Sequence, residues 1–497
     1  MGNTMVYMKK RLYPVSLAVT SLLVLSILFL LAACATNPVT GSPQLMLLSE
    51  DQEIELGRQT DSQVVKDYGI YDDDQVLSAY IEHVGQRLGH LSHRPGLSYQ
   101  FKILDTPVVN AFAVPGGWVY FTRGILACLN SEAELAGVIG HEIGHITARH
   151  SAQQYSRAQL AQIGLGLGVI LSERFQGVAG LAQFGVGMLF LSFSRDDERQ
   201  ADDLGVEYSS KAGYDATRMA QFFQTLERLH PTPGKSGLPE WFSTHPNPAD
   251  RIGAIQRKAK EWQKELDLKG FEVNRKEYLH HINGLVFGED PREGFIENNV
   301  FYHPVLRFRF PVPANWKVQN TRSLVRMTSA NKDATLMFML SPDRSHESAS
   351  QDFLRTSGAT LVDSAGEKIN GFPAVRLNST LRSRQGTLYI MSCFIQKGRT
   401  VYVFHGVSSR SQFKGYTSIF QDSMENFKTL IDPKKLNVQP DRIRIVPTSV
   451  AGTMRQVLRA AGIPEENQEK WAIMNGKTLS DHVPANTLIK IVKKGTF

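Results

Sequence analysis

Cysteine is scarce: Cys34, Cys128 and Cys393 are the only three in 497 residues. With Cys34 assigned to an N-terminal role below, at most one disulfide is left, so a disulfide framework is excluded. A large excess of either charge is missing too. Lys and Arg number 55 against 48 Asp and Glu, for a net charge of +7. Lys9, Lys10 and Arg11 lie in a segment that reads as removable, and without them the net charge is +4. Such a balance is no footprint for nucleic acid, and no nucleic-acid partner is expected. Long apolar runs are lacking in the body of the chain. The Gly-rich stretch 160–193 contains Glu173 and Arg174 and never reaches 18 uninterrupted apolar residues. It reads as a buried or amphipathic helix pair, and with a mean hydropathy of −0.22 a polytopic membrane protein is excluded. No tandem repeat of solenoid period is present. What remains is ordinary globular composition, 42% apolar and 21% charged, long enough for two to four domains of about 100–200 residues.

The N-terminus reads as an address. Lys9, Lys10 and Arg11 precede an apolar run from Leu17 to Leu31, which ends in Leu31-Ala32-Ala33-Cys34. Basic, apolar and small-residue regions in that order make a secretory signal. Cysteine directly after Leu-Ala-Ala resembles the bacterial lipobox. By that resemblance the chain is cut before Cys34, which carries lipid and holds the protein to a membrane. Ala35 follows, not Asp, which by the enterobacterial sorting rule favours the outer membrane. The expected location is therefore the bacterial cell envelope, as a periplasm-facing lipoprotein of the outer membrane. A plain signal peptide or an uncleaved anchor helix is the alternative.

Patterning divides the chain further. Residues 1–33 read as the signal peptide and the turn-rich 34–48 as a tether. A mainly helical domain follows at 49–270, its first helix opened by a Ser49/Gln52 capping box. It continues with a helix near 74–91, strands at 99–104 and 117–122, a helix over 131–150, and helices at 196–211, 215–229 and 248–267. After a connector at 271–300, β-branched and aromatic alternation dominates 301–430, as in Leu336-Met-Phe-Met-Leu340 and Thr400-Val-Tyr-Val-Phe404. That pattern predicts an antiparallel sheet with helices near 347–357 and 411–427. Residues 431–442 read as a linker, and 443–497 as strand–helix–helix–strand. The fold class expected is thus multidomain α+β: a mainly helical domain with a small sheet, an antiparallel-sheet domain, and a small βααβ module.

The helix at 131–150 carries His141-Glu142-Ile143-Gly144-His145. Histidines at i and i+4 project from one helix face and can share one ion, with Glu142 beside them to act on water. Chance predicts roughly 0.02 occurrences of this spacing in a chain of this composition. A catalytic zinc needs a third protein ligand. Glu198 and Asp202, at i and i+4 in a later acidic helix, offer one carboxylate for the metal and one to hold a ligand histidine. By themselves these acids are an ordinary solvated face; the upstream motif turns the balance toward ligands.

Five motifs in one order carry a resemblance: Asn37-Pro-Val-Thr-Gly41, Asn110-Ala-Phe-Ala-Val-Pro-Gly-Gly117, His141-Glu-Ile-Gly-His145, Glu198-Arg-Gln-Ala-Asp202 and Thr244-His-Pro246. They resemble the HtpX and CAAX-prenyl-protease class of gluzincin metallopeptidases, and its periplasmic, BepA-like lipoprotein branch in particular. The resemblance covers about residues 37–260. It implies one Zn2+ per chain on His141, His145 and Glu198, with Glu142 as catalytic base and Asp202 holding a ligand from behind. It also implies that Asn110, Ala111, Phe112 and Ala113 form an edge strand to which an extended polypeptide substrate adds. His245 would be either a fourth ligand that keeps the enzyme latent or a group stabilising the oxyanion, and Arg251 an aid to the same charge. His150 reads as structural and Cys128 as a buried small hydrophobe.

The implied activity is zinc-dependent hydrolysis of peptide bonds in misfolded or unassembled envelope proteins. The tetratricopeptide repeats of the BepA branch have no counterpart here. Residues 301–430 loosely resemble a PsbP-like domain, the alternative being a generic sheet domain that binds a partner or stabilises the protease. Residues 443–497 resemble a LysM module that would bind peptidoglycan, its usual Gly-Asp-Thr turn degenerate at Ala451-Gly452-Thr453, the alternative being a structural βααβ cap. The competing reading is a non-enzymatic lipoprotein that binds cell wall or outer-membrane partners through its C-terminal half.

Overall fold

Ser49 starts the first long helix by satisfying backbone groups that a helix end leaves open. Its Oγ accepts the Gln52 N–H at 3.2 Å, and Gln52 Oε1 accepts the Ser49 N–H at 2.9 Å. The computed structural model describes residues 34–164, 192–229, 240–246, 250–268, 270–383 and 386–495. Residues 1–33, expected as a signal peptide, and residues 165–191 of the apolar stretch lie outside them.

Ahead of that helix, β1 (Cys34–Thr36) and β2 (Pro43–Leu45) pair antiparallel across the Asn37–Gly41 turn. Asn37 Oδ1 accepts the N–H groups of Val39 and Thr40 at 2.8 and 3.1 Å. Residues 34–48, expected as a tether, are thus a short hairpin, and Leu47 N–H reaches Ser156 Oγ at 2.9 Å. The helical region then runs α1 (Glu50–Tyr68), α2 (Gln75–His90), β3 (Gln100–Leu104), β4 (Ala111–Val114), β5 (Trp118–Thr122), α3 (Arg123–Cys128), α4 (Glu132–Thr147) and α5 (His150–Gly164). After the undescribed stretch come α6 (Arg195–Lys211), α7 (Thr217–Leu229), α8 (Glu240–Thr244), α9 (Arg251–Leu266) and α10 (Arg275–His281).

Every residue of α4 is buried, so this helix is the axis of the region. Its start is capped without the reciprocal bond of a capping box. Ser131 Oγ accepts the Glu134 N–H, but the Glu134 carboxylate accepts from Asn130 N–H at 2.7 Å instead of from Ser131. The single helix expected over 131–150 is two, because Arg149 takes a left-handed φ of 60°. That turn aims its guanidinium at Glu53, 2.8 Å away. The three-stranded sheet has the order β3-β5-β4, with β3 parallel and β4 antiparallel to β5, and Pro115-Gly116-Gly117 makes the β4–β5 turn. Among the described residues β4 has a strand partner on one side only.

The sheet region holds β6 (Phe295–Glu297), β7 (Val300–His303), β8 (Phe308–Pro311), β9 (Lys317–Asn320), β10 (Leu324–Thr328), β11 (Ala334–Ser341), α11 (His346–Ser357), β12 (Thr360–Ile369), β13 (Phe372–Ser383), β14 (Gly386–Lys397), β15 (Thr400–Ser409), α12 (Arg410–Glu425) and β16 (Lys428–Thr429). Seven strands form one antiparallel sheet ordered β12-β13-β14-β15-β11-β10-β9, and four form another, β16-β8-β7-β6. Period-two alternation serves both faces of the larger sheet. Phe394, Val401 and Val403 face α11, while Cys393, Tyr402 and Phe404 share a core with Phe420 and Met424 of α12.

The tail is β17 (Arg442–Pro447), β18 (Gly452–Thr453), α13 (Met454–Ala460), α14 (Glu465–Met474), β19 (His482–Val483) and β20 (Leu488–Lys493), with β17 and β20 paired antiparallel. The coarse expectation, helical first and antiparallel sheets after, matches this architecture. The tail also shares a core with the helical region: Met454, Leu458, Trp471 and Ile489 belong to one buried cluster with Leu135, Val138 and Met219. Among the described residues no helix is long and apolar enough to cross a membrane.

Candidate metal centre

Glycine lets two helices approach closely enough to build the site. A Cβ on Gly144 of α4 would lie 3.0 Å from the Ala201 carbonyl oxygen, and one on Gly205 of α6 would lie 2.9 Å from the His141 nitrogen. Gly140 faces Gly205 across the same seam. With backbones this near, Glu198 and Asp202, one turn apart on α6, both reach the histidines of α4.

His141, His145, Glu198 and His245 converge, each offering one ligand atom within 4.8 Å of every other, and all are buried. Nε2 of His141 lies 3.1 Å from Nε2 of His145 and 3.3 Å from Nδ1 of His245. Oε1 of Glu198 stands 2.9 Å from His245 Nδ1 and 3.5 Å from His145 Nε2. Behind the cluster, Asp202 Oδ1 lies 2.9 Å from His141 Nδ1. A carboxylate only accepts, so His141 carries its proton on Nδ1 and turns a bare Nε2 lone pair into the cluster. Among the buried atoms around the same space that have no hydrogen-bond partner are Glu142 Oε1, Glu198 Oε2 and His245 Nε2. Unpartnered buried acceptors cost about 1–3 kcal/mol each. Converging lone pairs and carboxylate oxygens are what a cation satisfies, so the donor set fits a metal.

Burial sets the proton affinities. It pushes Glu142 up to about 7, against His245 and the backbone N–H of Ala113 in β4, which favour the anion. Burial also holds His141 and His145 well below the usual imidazole range. Burial would raise Glu198, but His245, His145 and His141 overcome it and hold the carboxyl well below the usual range. Asp202 is pushed up to about 6 by burial, with Arg251 opposing. His245 is desolvated, yet Glu198 and Glu142 raise its affinity for a proton. Its Nε2 lies 3.7 Å from Glu142 Oε1.

His245 is held by α8. Its N–H donates to the Trp241 carbonyl at 2.7 Å, and its ring stacks on the Trp241 indole at 4.3 Å. Trp241 N–H in turn donates to the Val109 carbonyl, just ahead of Asn110. Asn110, Ala111 and Phe112 are buried and Ala113 is half-buried. Arg251 is placed on the carboxylates: Nη2 lies 2.8 Å from Asp202 Oδ1, Nη1 lies 3.3 Å from Glu198 Oε2, and the guanidinium stacks on Phe223. Cys128 is buried, its thiol pushed up to about 11 by burial, consistent with a packing residue. The backbone of Cys34 lies in β1.

Several contributors were not legible beforehand. Phe193 lies flat on His145 at 4.0 Å, and His150 and Gln200 back His145 from outside the cluster. The glycines did leave a signal. Gly137, Gly140 and Gly144 repeat at helical spacing, and glycine costs a helix interior about 1 kcal/mol unless a close neighbour requires it.

Residues 76–259 match the profile of Peptidase family M48. The chain is 31% identical over 243 residues to the beta-barrel assembly-enhancing protease of Yersinia pestis, a match covering 46% of this chain and 48% of that protein. It is also 31% identical over 245 residues to the mitochondrial metalloendopeptidase OMA1 of Schizosaccharomyces pombe, covering 47% of this chain and 67% of that one. Among solved structures, cyanobacterial PsbP from Synechocystis sp. PCC 6803 aligns at 12% identity over 26% of this chain and 91% of its own, with a TM-score of 0.24, too slight to carry an argument. The chain spans about half the length of the beta-barrel assembly-enhancing proteases it matches. Motif order, converging ligands and these matches agree, and the chain belongs to peptidase family M48.

Proposed function

We propose that this protein is a zinc-dependent endopeptidase of the bacterial envelope, acting on misfolded or unassembled envelope proteins. One observation carries the reading: four buried ligand atoms within 4.8 Å of one another, with Glu142 on the helix that bears two of them, His141 and His145. Zinc bonds nitrogen and oxygen at about 2.0–2.1 Å, and tetrahedral angles then set the donors roughly 3.3 Å apart. The His141–His145 and His141–His245 separations of 3.1 and 3.3 Å suit that spacing. His141, His145 and Glu198 would hold the ion, and His245 is within reach as a fourth, latency-imposing ligand.

When bound, zinc supplies Lewis acidity at the scissile carbonyl and acidifies water. Glu142, with its proton affinity raised toward neutrality by burial, takes a proton from the attacking water and returns it to the leaving amine. Asp202 keeps the His141 proton on Nδ1, and Arg251 steadies Asp202 and Glu198 together. The edge of β4 that has no strand partner among the described residues, with Asn110 leading into Ala111, Phe112 and Ala113, is suited to add an extended peptide strand. Cys34 after Leu-Ala-Ala supports a lipid anchor, and 443–497 is read as a LysM-like tail with peptidoglycan as its partner.

The test is metal content and casein cleavage by wild type, Glu142→Gln and His245→Ala. About one zinc per chain, and loss of cleavage in Glu142→Gln by a factor of about 10²–10⁴ with zinc retained, is the expected result. Faster cleavage in His245→Ala adds the latency role. Wild-type cleavage that persists in Glu142→Gln removes the assignment. The same preparations report the anchor, as the mass of lipid on Cys34, and the tail, as cosedimentation with purified peptidoglycan; absence of either removes that part.

A further inference from the structure

His145 is gripped from the side away from the cluster. Its Nδ1 lies 2.9 Å from Nδ1 of His150, and Nε2 of His150 lies 3.0 Å from Oε1 of Gln200. Asp197 Oδ1 stands 3.7 Å from the same His150 nitrogen. The two imidazoles meet edge-on at 74°, and Phe193 covers a face of His145. His150 is 2% exposed, so water does not compete for these atoms.

Two imidazole nitrogens at 2.9 Å share one proton, and the far end of the chain decides which of them owns it. Gln200 Oε1 and the Asp197 carboxylate are acceptors, so they call for the proton of His150 on Nε2. His150 Nδ1 is then bare and accepts the Nδ1–H of His145. With that proton on Nδ1, His145 presents a bare Nε2 to His141 and Glu198. The reverse orientation of the Gln200 amide would run every donor the other way. It would leave a proton on His145 Nε2, facing the donor atoms that a cation needs.

We propose that His150, seated by Gln200, is the positioning residue that fixes the tautomer and ring orientation of His145. It does for His145 what Asp202 does for His141, with a neutral imidazole where the other ligand has a carboxylate. The inference rests on the reading of His145 as a metal ligand. Partners of this kind change metal affinity without touching the ion.

The experiment measures Zn(II) affinity of the full apo chain by competition with a chromophoric chelator, for wild type, His145→Ala, His150→Leu and His150→Asn. Leucine fills the space and offers no acceptor. Asparagine places Oδ1 near the position of the lost Nδ1. His150→Leu is expected to bind zinc about 10–100-fold more weakly than wild type, and His150→Asn to recover to within about threefold of it. Equal affinities of the Leu and Asn variants, whether both are like wild type or both equally weakened, would overturn the relay while leaving His145 a ligand. Wild type binding no tighter than His145→Ala would overturn the metal reading and the relay with it.

Discussion

Glu53 is a carboxylate 1% exposed, placed in the first turn of α1 between two guanidinium groups. Arg149 Nε lies 2.8 Å away and Arg94 Nη1 3.0 Å, and Arg94 also donates to the Ile146 carbonyl at the end of α4. The trio ties α1 to the C-terminal end of the helix that bears the metal ligands. Buried charges without a partner are costly. Glu53→Gln is expected to lower the stability of the helical region by about 3 kcal/mol, read as a lower urea midpoint with an unchanged slope. No shift would show that the two arginines find other partners. At this scale the sequence was unevenly legible. His141, Glu142 and His145 stand at a spacing that has one chemical use. Glu53 pairs with residues 41 and 96 positions away, and no local pattern marks it as anything but one more acid in a helix's first turn.

The decisive feature among the elements is the seam between α4 and α6. A helix with glycine at 137, 140 and 144 gives up propensity, and the close passage of a second backbone is what it gains. Gly205→Ala would put a methyl 2.9 Å from the His141 backbone nitrogen. The helices must part by a few tenths of an ångström, which draws Glu198 and Asp202 away from His141. The expected outcome is about 1–3 kcal/mol of lost stability together with weaker zinc binding. Gly415→Ala in α12 is the contrast: nothing lies within 4 Å of the new methyl, and removing a mid-helix glycine is expected to stabilise by about 0.5–1 kcal/mol. Thermal unfolding of both variants checks the pair, and stabilisation by Gly205→Ala would contradict the seam. Helix positions were readable because capping residues and 3.6-residue apolar spacing are local. The break at Arg149 was not, since a left-handed arginine is held there by Glu53 on another helix.

The tail is joined to the helical region through a buried lysine. Lys490 Nζ donates to the carbonyls of Ala127, Cys128 and Leu129 at 2.8, 3.3 and 2.7 Å, satisfying the open C-terminal end of α3. Asn475 reaches the Lys490 backbone from α14, and Arg228 of α7 donates to the Lys477 carbonyl. Lys490→Met keeps the length and removes all three bonds. It is expected to lower the stability of helical region and tail together by about 3 kcal/mol, seen as one displaced transition by near- and far-ultraviolet dichroism. A displaced tail transition beside an unmoved helical one would show two independent units. The order of helical, sheet and tail regions was legible from composition and periodicity. Their shared core was not, because the pattern of one segment says nothing about which distant segment covers its apolar face.

By itself the sequence determined the chemistry on offer: two histidines and a glutamate on one helix face, two acids one turn apart on another, and one further histidine before a proline. Residue type and spacing along a helix suffice for that, since the helix repeat places side chains without reference to the rest of the chain. Tertiary structure alone decided which atoms meet. It brought Glu198 to the histidine pair through backbones close enough for glycine only, set His245 beside them from the end of α8, set the proton on His141 with Asp202, and turned Arg251 onto the carboxylates. It also gave His150, a bystander by spacing, a hydrogen bond to His145. Hydrogen bonds and burial act across distances of a few ångströms between residues far apart in the chain, and folding is what makes those distances short.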